Sequence, residues 1–501
     1  MRNSLLKHYV TVPKATPVAV SAPFRLSPLR PPLSQAPPSQ TTYVFVMTPD
    51  VPAPTTLVIL AAGQGTRMRS RLPKVMHRLA GRSMIRHVLD AAAALSPRLA
   101  VVVVAPGMDE VATEVSPALT AIQEPALGTA HAVAAARSHL AGAQGGVLVL
   151  FGDTPLITPE TLLRLRMALA APERPGVVVL GFRPADPLAY GRLVLGADGS
   201  LERIVEFKEA TAEERAIGLC NAGAMAFDAE LLPHLLDGIR NDNAKGEYYL
   251  TDAVALARAQ GRTVALVEGD ADEVLGVNSR AELAVAEAVL QRRLRQAAMD
   301  GGATLTDPGS VQFSWDTRLG RDVVIGPNVV FGPDVEVADD VEIKAFCHLE
   351  GARVASGAVI GPFARLRPGA EIGQDAHIGN FVEIKKASIG PGAKVNHLSY
   401  VGDAEVGAKA NIGAGTITCN YDGFDKHLTR IGAGAFIGSN TALVAPVSVG
   451  DGAIIGAGSV VARDVPADAL AVTRGDHVEK PGWAARFRAA KARLKAARAR
   501  E

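Results

Sequence analysis

Cysteine is scarce in this 501-residue chain: Cys220, Cys347 and Cys419 are widely spaced and form no C-x-x-C pair. That excludes a disulfide scaffold and a thiolate zinc site, and it suits a reducing compartment. Net charge is slight as well, because 52 Lys and Arg meet 51 Asp and Glu and leave +1. No overall field therefore draws nucleic acid or a membrane, and neither partner is expected. Long apolar runs are missing too. None reaches the roughly 18 residues that a membrane helix needs, and the short run Val101–Val104 reads as a buried strand. A cytoplasmic protein is the expectation. Acidic residues are absent from residues 1–46, which carry Arg2, Lys7, Lys14, Arg25 and Arg30 and many prolines. The prolines forbid a regular helix. The segment has the acid-free composition of a transit peptide but lacks the continuous apolar stretch of a secretory signal. Residues 1–54 are read as a disordered Pro-rich tail or a mis-started segment, since Met47 begins a plausible chain.

What remains is long enough for two or three domains. From Thr56 to Val277, short apolar runs alternate with helical stretches. Strands are predicted at 57–60, 99–105, 147–151 and 176–181, and a helix at 85–94. Such alternation argues for an α/β sheet covered by helices, with ligands beyond the carboxyl ends of the strands. Residues 279–300 form the next unit. Ser279 followed by Glu282 is a capping-box pattern, and Leu283, Val289, Leu290 and Leu294 follow at near-helical spacing. This is read as one helix linking the domains.

Residues 301–485 are different again. Ile325, Phe331, Val337, Ile343 and Leu349 recur every six residues. The register slips by one and resumes at Val354, Ile360, Leu366, Ile372, Ile378 and Ile384, then again at Ile389, Val395 and Val401. Gly326, Gly332, Gly361, Gly373, Gly390, Gly413 and others follow the aliphatic position. Hexads of this kind build a parallel β-helix, three to a triangular coil, whose stability is that of a stack. The repeat breaks at Cys419–Arg430, which is expected to leave one face as a loop. Residues 486–501 are read as a basic tail.

Two groups of motifs carry chemistry. Leu60-Ala61-Ala62-Gly63-Gln64-Gly65-Thr66-Arg67-Met68 follows a strand and leads to Leu72-Pro73-Lys74. Small residues let backbone N–H groups approach phosphates, and Arg67 and Lys74 add positive charge. The spacing is neither the dinucleotide fingerprint nor a P-loop. Further on stand Gln123, Leu127-Gly128-Thr129-Ala130-His131-Ala132, Phe151-Gly152-Asp153 and Tyr190-Gly191-Arg192. Val205-Glu206-Phe207-Lys208, Asn221-Ala222-Gly223, Gly246-Glu247-Tyr248-Tyr249-Leu250-Thr251-Asp252 and Gly276-Val277-Asn278 complete the set. In the repeats lie Arg365-Leu366-Arg367-Pro368, Glu383-Ile384-Lys385-Lys386, Asn396-His397-Leu398-Ser399-Tyr400, Asn411-Ile412-Gly413-Ala414-Gly415-Thr416 and Thr418-Cys419-Asn420-Tyr421-Asp422-Gly423. These strings bring together a candidate base, hydrogen-bond donors and cations suited to an anionic substrate.

The first set resembles the signature of sugar-phosphate nucleotidyltransferases. With the second, the chain from about residue 56 to 485 resembles a bifunctional bacterial family that joins an N-acetylglucosamine-1-phosphate uridylyltransferase to a glucosamine-1-phosphate N-acetyltransferase. That resemblance implies an α/β, Rossmann-like nucleotidyltransferase domain (55–278) followed by an all-β left-handed parallel β-helix (301–485). It implies acetylation of glucosamine-1-phosphate by acetyl-CoA. UMP then passes from UTP to N-acetylglucosamine-1-phosphate, giving UDP-N-acetylglucosamine for cell-envelope precursors. Lys74 and Arg67 would act on the phosphates, and Asp153 with Asn278 would hold Mg²⁺. UTP and the sugar would be held by Leu60, Ala61, Ala62, Gly63, Gln123, Gly128, Thr129, Gly191, Glu206 and Asn221. His397 would be the general base of acetyl transfer, with Arg367, Lys385, Tyr400 and Asn411 on the substrate. Ala414, Asn420, Tyr421, Ser439, Ala457 and Arg474 would meet acetyl-CoA. A homotrimer is expected as well, because triangular β-helices have three flat faces that pack around a threefold axis, and the Cys419–Arg430 loop would reach a neighbour. Departures are mild: Phe151 stands where tyrosine is common, and Ala222 where threonine is frequent.

Three other readings compete. The β-helix could serve only assembly or regulation, as in ADP-glucose pyrophosphorylases, but such a helix does not need His397, Lys385 and the Asn420-Tyr421 loop. A pure scaffold does not need the phosphate loop and Asp153. A hexapeptide carbonic anhydrase needs three His on one metal, and here His348, His377 and His397 are the candidates, His377 within a plain His-Ile-Gly repeat.

Overall fold

The computed structural model describes residues 55–187, 190–473 and 475–498. The tail expected at residues 1–54 and the ligand expected at Arg474 lie outside them. The first part is a mixed sheet of β1 (Thr55–Leu60), β2 (Leu99–Val104), β3 (Leu119–Ile122), β4 (Gly146–Phe151), β5 (Val177–Phe182), β6 (Arg192–Leu195), β7 (Leu201–Val205), β8 (Cys220–Asp228) and β9 (Val264–Glu268). Their order is β9-β5-β8-β4-β1-β2-β3, and the β6–β7 hairpin hangs from β8. β4, β1, β2 and β3 run parallel, whereas β8 is antiparallel to both β4 and β5. β1 is buried along its whole length because helices cover both faces. Its alternating side chains feed two cores. Leu57 and Ile59 join α1 (Met84–Ala93) and α3 (Pro159–Leu169), while Val58 and Leu60 join α2 (Thr129–Ala135) and α4 (Ala253–Ala259). The strands read from sequence fall within two residues of those observed. The β6–β7 hairpin and β8 were not read as strands.

The strand order turns between β1 and β4, which opens a crevice at their carboxyl ends. Its floor is stitched by backbone bonds. Gly152 N donates to Leu60 O at 2.9 Å, and Ala61 N to Val103 O at 2.8 Å.

The linking helix α5 (Arg280–Asp300) starts at Ser279, whose hydroxyl accepts from Glu282 N at 3.2 Å. The reciprocal arm departs from the expected box: Glu282 accepts from Asn278 N at 2.7 Å, one residue earlier than the cap. The carboxylate therefore fixes the backbone of Asn278. α5 also clamps the two parts of the molecule together. Ala286 and Val289 pack with Leu79, Met84, Leu156 and Val277. Gln291, 2 % exposed, donates to Phe313 O at 2.7 Å and accepts from Phe313 N at 2.9 Å. Ala80 accepts from Trp315 N at 2.9 Å, and the Arg82 guanidinium lies 3.6 Å above the Trp315 ring.

Beyond α5 the chain climbs as parallel strands of two to seven residues on three faces. The first face runs from Thr304–Leu305 to Leu470–Ala471 in ten strands. The second holds Val330–Phe331, His348–Leu349 and Arg365–Leu366, and the third Val335–Val337, Ala352–Val354 and Ala370–Ile372. Most strands turn one or two apolar side chains inward, and together these form a single continuous core. The register slips seen in sequence are corners between the second and third faces that lack one residue. The coil that pairs Val335 with Ala352 is accordingly shorter than the next, which pairs Ala352 with Ala370. The chain leaves the stack after Cys419 and re-enters at Thr429, which pairs with Ala404 across a coil lengthened by the loop. At the carboxyl end, α6 (Trp483–Arg498) begins before Arg486, where the basic tail was expected to start.

Candidate active sites

The crevice above β1 and β4 is a cavity of about 300 Å³. Leu60, Ala61, Ala62, Gly63, Lys74, Gln123, Gly128, Thr129 and Asp153 all line it, together with Phe151 and Glu247. A Cβ at Gly63 would meet nothing within 4 Å, so the backbone there faces open space as a phosphate cradle requires. Gly65 (φ +62°) brings the turn against Lys74, and a Cβ there would lie 2.5 Å from Lys74 Cβ. Lys74, with 11 % of its side chain exposed, forms an ion pair with Asp153 and donates to Asn278 Oδ1 at 3.0 Å. Asp153 is in turn fixed by Val277 N, which donates to its carbonyl at 2.8 Å. A carboxylate oxygen and an amide oxygen thus converge on one cation. Both are hard oxygen donors, and Asp153 opens on the cavity, which suits Mg²⁺.

The side of the cavity that carries Gln123, Gly128 and Thr129 is built from two distant segments. Tyr248 N donates to Leu127 O at 2.7 Å, Ala130 N to Tyr248 O at 2.9 Å, and Leu250 N to Thr129 Oγ1 at 2.9 Å. Gln123 Nε2 donates to Gly128 O at 2.9 Å. Gly191, Glu206 and Asn221 lie outside the cavity lining, at the junction of β6, β7 and β8. Asn221 N donates to Gly191 O at 2.8 Å, and Gly223 N to Asn221 Oδ1 at 3.0 Å. Burial pushes the Glu206 carboxyl up, with Lys245 opposing. Gly223 (φ +88°) lies against Phe151, and a Cβ there would come within 3.0 Å of the ring. Arg67 is exposed on the Thr66–Met68 turn and does not line the cavity.

The second group lies on the β-helix. His397 ends a first-face strand, and its Nδ1 is 2.7 Å from Asn380 Oδ1, one coil below. With Asn380 accepting, Nδ1 carries the proton and Nε2 is left as the basic lone pair. Ser399 Oγ holds the His397 carbonyl at 2.8 Å, and Gly415 N donates to it from the next coil at 3.2 Å. Above Gly415 the same corner continues through Ser439 and Ala457, so Ala414, Ser439 and Ala457 form a column that rises from His397. Arg367 pairs with Glu383 at 2.7 Å. Lys385 Nζ lies 3.6 Å from Asp403, which also accepts from Asn420. Tyr400 is directed over Gly402, and Asn411 pairs with Lys394 on the first face. Tyr421 is exposed in the loop, under the Lys426 ammonium at 4.0 Å.

Asn380 and Asp403 were not picked out from sequence. The available signal was the length of a coil, which separates Asn380 from His397, Lys385 from Asp403, and Asp403 from Asn420. His348 stands on the second face and His377 pairs with Lys394 on the first, so the three histidines do not converge. A groove of about 600 Å³ along the outside of the β-helix, lined by Leu319, Val337, Val354 and Ile372, holds none of these residues.

A nucleotide-binding crevice on a mixed sheet, joined to a hexapeptide β-helix with its own basic and polar cluster, defines a nucleotidyltransferase fused to a hexapeptide transferase. The model of the MobA-like NTP transferase domain matches residues 57–217, and that of the bacterial transferase hexapeptide matches 316–351, 351–386 and 428–463. A "Bifunctional protein GlmU" of Rhodospirillum rubrum is 68 % identical over 440 residues, 88 % of this chain and 98 % of the relative. Proteins of the same name from Paramagnetospirillum magneticum and Azorhizobium caulinodans are 62 % and 60 % identical, each over 88 % of this chain and 98 % of their own length. The chain belongs to the bifunctional GlmU family. Among the described residues, no helix is long and apolar enough to cross a membrane.

Proposed function

We propose that the β-helix acetylates glucosamine-1-phosphate with acetyl-CoA, and that the sheet domain (55–278) couples the resulting N-acetylglucosamine-1-phosphate to UTP. The products are UDP-N-acetylglucosamine and pyrophosphate. The observation that carries this reading is the pair of polar clusters, each built on its own hydrophobic core.

In the crevice, the 61–63 backbone and Lys74 hold the triphosphate, while Gln123, Gly128 and Thr129 face the base. Gly191, Glu206 and Asn221 receive the sugar, and Arg67 swings in from the surface toward the leaving pyrophosphate. The phosphate oxygen of the sugar phosphate attacks the α-phosphorus, and the bond to pyrophosphate breaks. Catalysis here is positioning and charge neutralisation. Asp153 and Asn278 would hold Mg²⁺, whose charge offsets that of the phosphates when bound. Lys74 contacts the same two side chains and, once they are engaged elsewhere, would be free to neutralise phosphate charge.

On the β-helix, Arg367, Lys385, Tyr400 and Asn411 bind the sugar phosphate. His397 Nε2 takes a proton from the substrate amine, the nitrogen attacks the thioester carbonyl, and CoA leaves as the thiol after reprotonation. Acetyl-CoA lies along the column of Ala414, Ser439 and Ala457, with Asn420 and Tyr421 at its acetyl end. The loop supports a trimer: Phe424 at its tip is 92 % exposed, which a neighbouring subunit would cover.

Purified chain assayed with excess EDTA should lose UTP coupling and keep CoA release. Full coupling in EDTA would remove Asp153 and Asn278 from the metal role. A monomeric mass at working concentration with acetyl transfer intact would remove the trimer.

A further inference from the structure

We infer that Asp403 is a positioning residue that ties the phosphate-binding lysine to the loop closing the acetyl-transfer site. This rests on the acetyl-transfer reading above. Three other corner aspartates of the β-helix serve the backbone of a neighbouring coil. Asp339 accepts from Arg321 N at 2.8 Å, Asp451 from Ala433 N at 2.7 Å and Asp464 from Ser448 N at 2.8 Å. Asp403 reaches two side chains instead, Lys385 on the coil below and Asn420 on the coil above. It does so from φ +46°, a conformation that Asp tolerates better than most residues. In the same corner of lower coils, Gly351, Gly369 and Lys386 take the left-handed conformation. Asp334 holds this corner lower still and pairs with Arg353, and a carboxylate returns to the column at the coil from which the loop departs.

Two consequences follow from the chemistry of the donor set. An ionised carboxylate only accepts, so the amide of Asn420 must face it with Nδ2. That turns Asn420 Oδ1 away from Asp403, where it can accept from a ligand N–H. Asn420 is 5 % exposed, and its backbone carbonyl accepts from His427 N at 2.9 Å, so its orientation sets where the loop leaves the stack. The second consequence concerns Lys385. Its side chain and that of Asp403 are only 19 % and 18 % exposed. A flexible four-carbon stem is thereby held to one place, one coil above Arg367, and the two cations meet the substrate phosphate as a preformed pair.

The test uses the full chain with acetyl transfer followed by CoA thiol release, and UTP coupling as the control for folding. Asp403→Ala should lower kcat and raise KM for glucosamine-1-phosphate, each at least about tenfold. Asp403→Asn can still accept from Asn420 but cannot pair with Lys385. It should recover kcat to within about threefold of wild type and keep the raised KM. UTP coupling should be unchanged in both. A KM that falls in either variant would overturn the inference, because Asp403 would then act only as a competing anion. Kinetics within threefold of wild type for Asp403→Ala, with His397→Ala inactive in acetyl transfer, would also overturn it and leave the site reading standing. An active His397→Ala would instead fail the site reading itself. Should Asp403→Ala not fold, the split between kcat and KM in Asp403→Asn decides alone.

Discussion

Gly128→Ala is a one-carbon change whose effect can be worked from the geometry. Gly128 precedes α2 with φ 107° and ψ 179°, a region that essentially only glycine occupies. An added Cβ would lie 2.6 Å from Tyr248 O, 2.8 Å from Tyr248 N and 3.0 Å from Glu247 Cβ. Non-bonded heavy atoms settle near 3.5–4.0 Å, so relief requires a movement of about 1 Å. Neither side can give freely, because Tyr248 is pinned by Leu127 O and Ala130 N on either side of the glycine. Backbone strain alone costs about 1–3 kcal/mol. The movement also takes Gly128 O from Gln123 and Thr129 Oγ1 from Leu250 N. A misplacement of about 1 Å in a positioned site costs on the order of 10²-fold, or about 2.7 kcal/mol of transition-state stabilisation. The expected result is a fall of that size in kcat/KM for UTP, read by pyrophosphate release, with acetyl transfer unchanged in the same sample. A kcat/KM within threefold of wild type would refute the claim that this segment shapes the nucleotide site.

His397→Ala should lower acetyl transfer by about 10²–10⁴-fold and leave UTP coupling unchanged; a loss under threefold would move the base elsewhere. Glu206→Gln should alter the pH dependence of stability. The wild-type carboxyl is raised chiefly by burial, so the folded state holds its proton more tightly than the unfolded chain does. The cost of ionising Glu206 is therefore absent below the ordinary carboxylate range and appears as pH rises through the raised value. Relative to wild type, the variant should gain stability across that window and show a higher KM for N-acetylglucosamine-1-phosphate. Parallel stability curves from pH 4 to 8 would contradict the burial account.

The fold was legible in sequence where periodicity was strong. Six-residue spacing from Ile325 onward located the inward side chains, and each slip in it was a shortened corner, since the core column tolerates no change of face. The crevice was legible because small residues and Asp153 directly follow buried strands. Less was legible where a contact joins residues far apart. The Gln291–Phe313 clamp and the Tyr248–Gly128 junction depend on tertiary approach, and no local pattern announces them. Glu282 shows the limit at short range: the pattern named a capping box, but the carboxylate reached Asn278 instead. Asn380 and Asp403 stood in ordinary repeat positions, and only stacking the coils revealed which side chains they face.

The central claim is that one chain carries two independent chemistries on separate cores. Asp153→Ala tests it most directly, with pyrophosphate release from UTP and CoA release from acetyl-CoA measured on the same folded preparation. Removing Asp153 takes the carboxylate from Lys74 and one of the two oxygen donors from the expected metal position, yet touches nothing on the β-helix. Pyrophosphate release should vanish while CoA release stays at the wild-type rate. Loss of both activities in a folded variant, or UTP coupling that survives the substitution, would contradict the account.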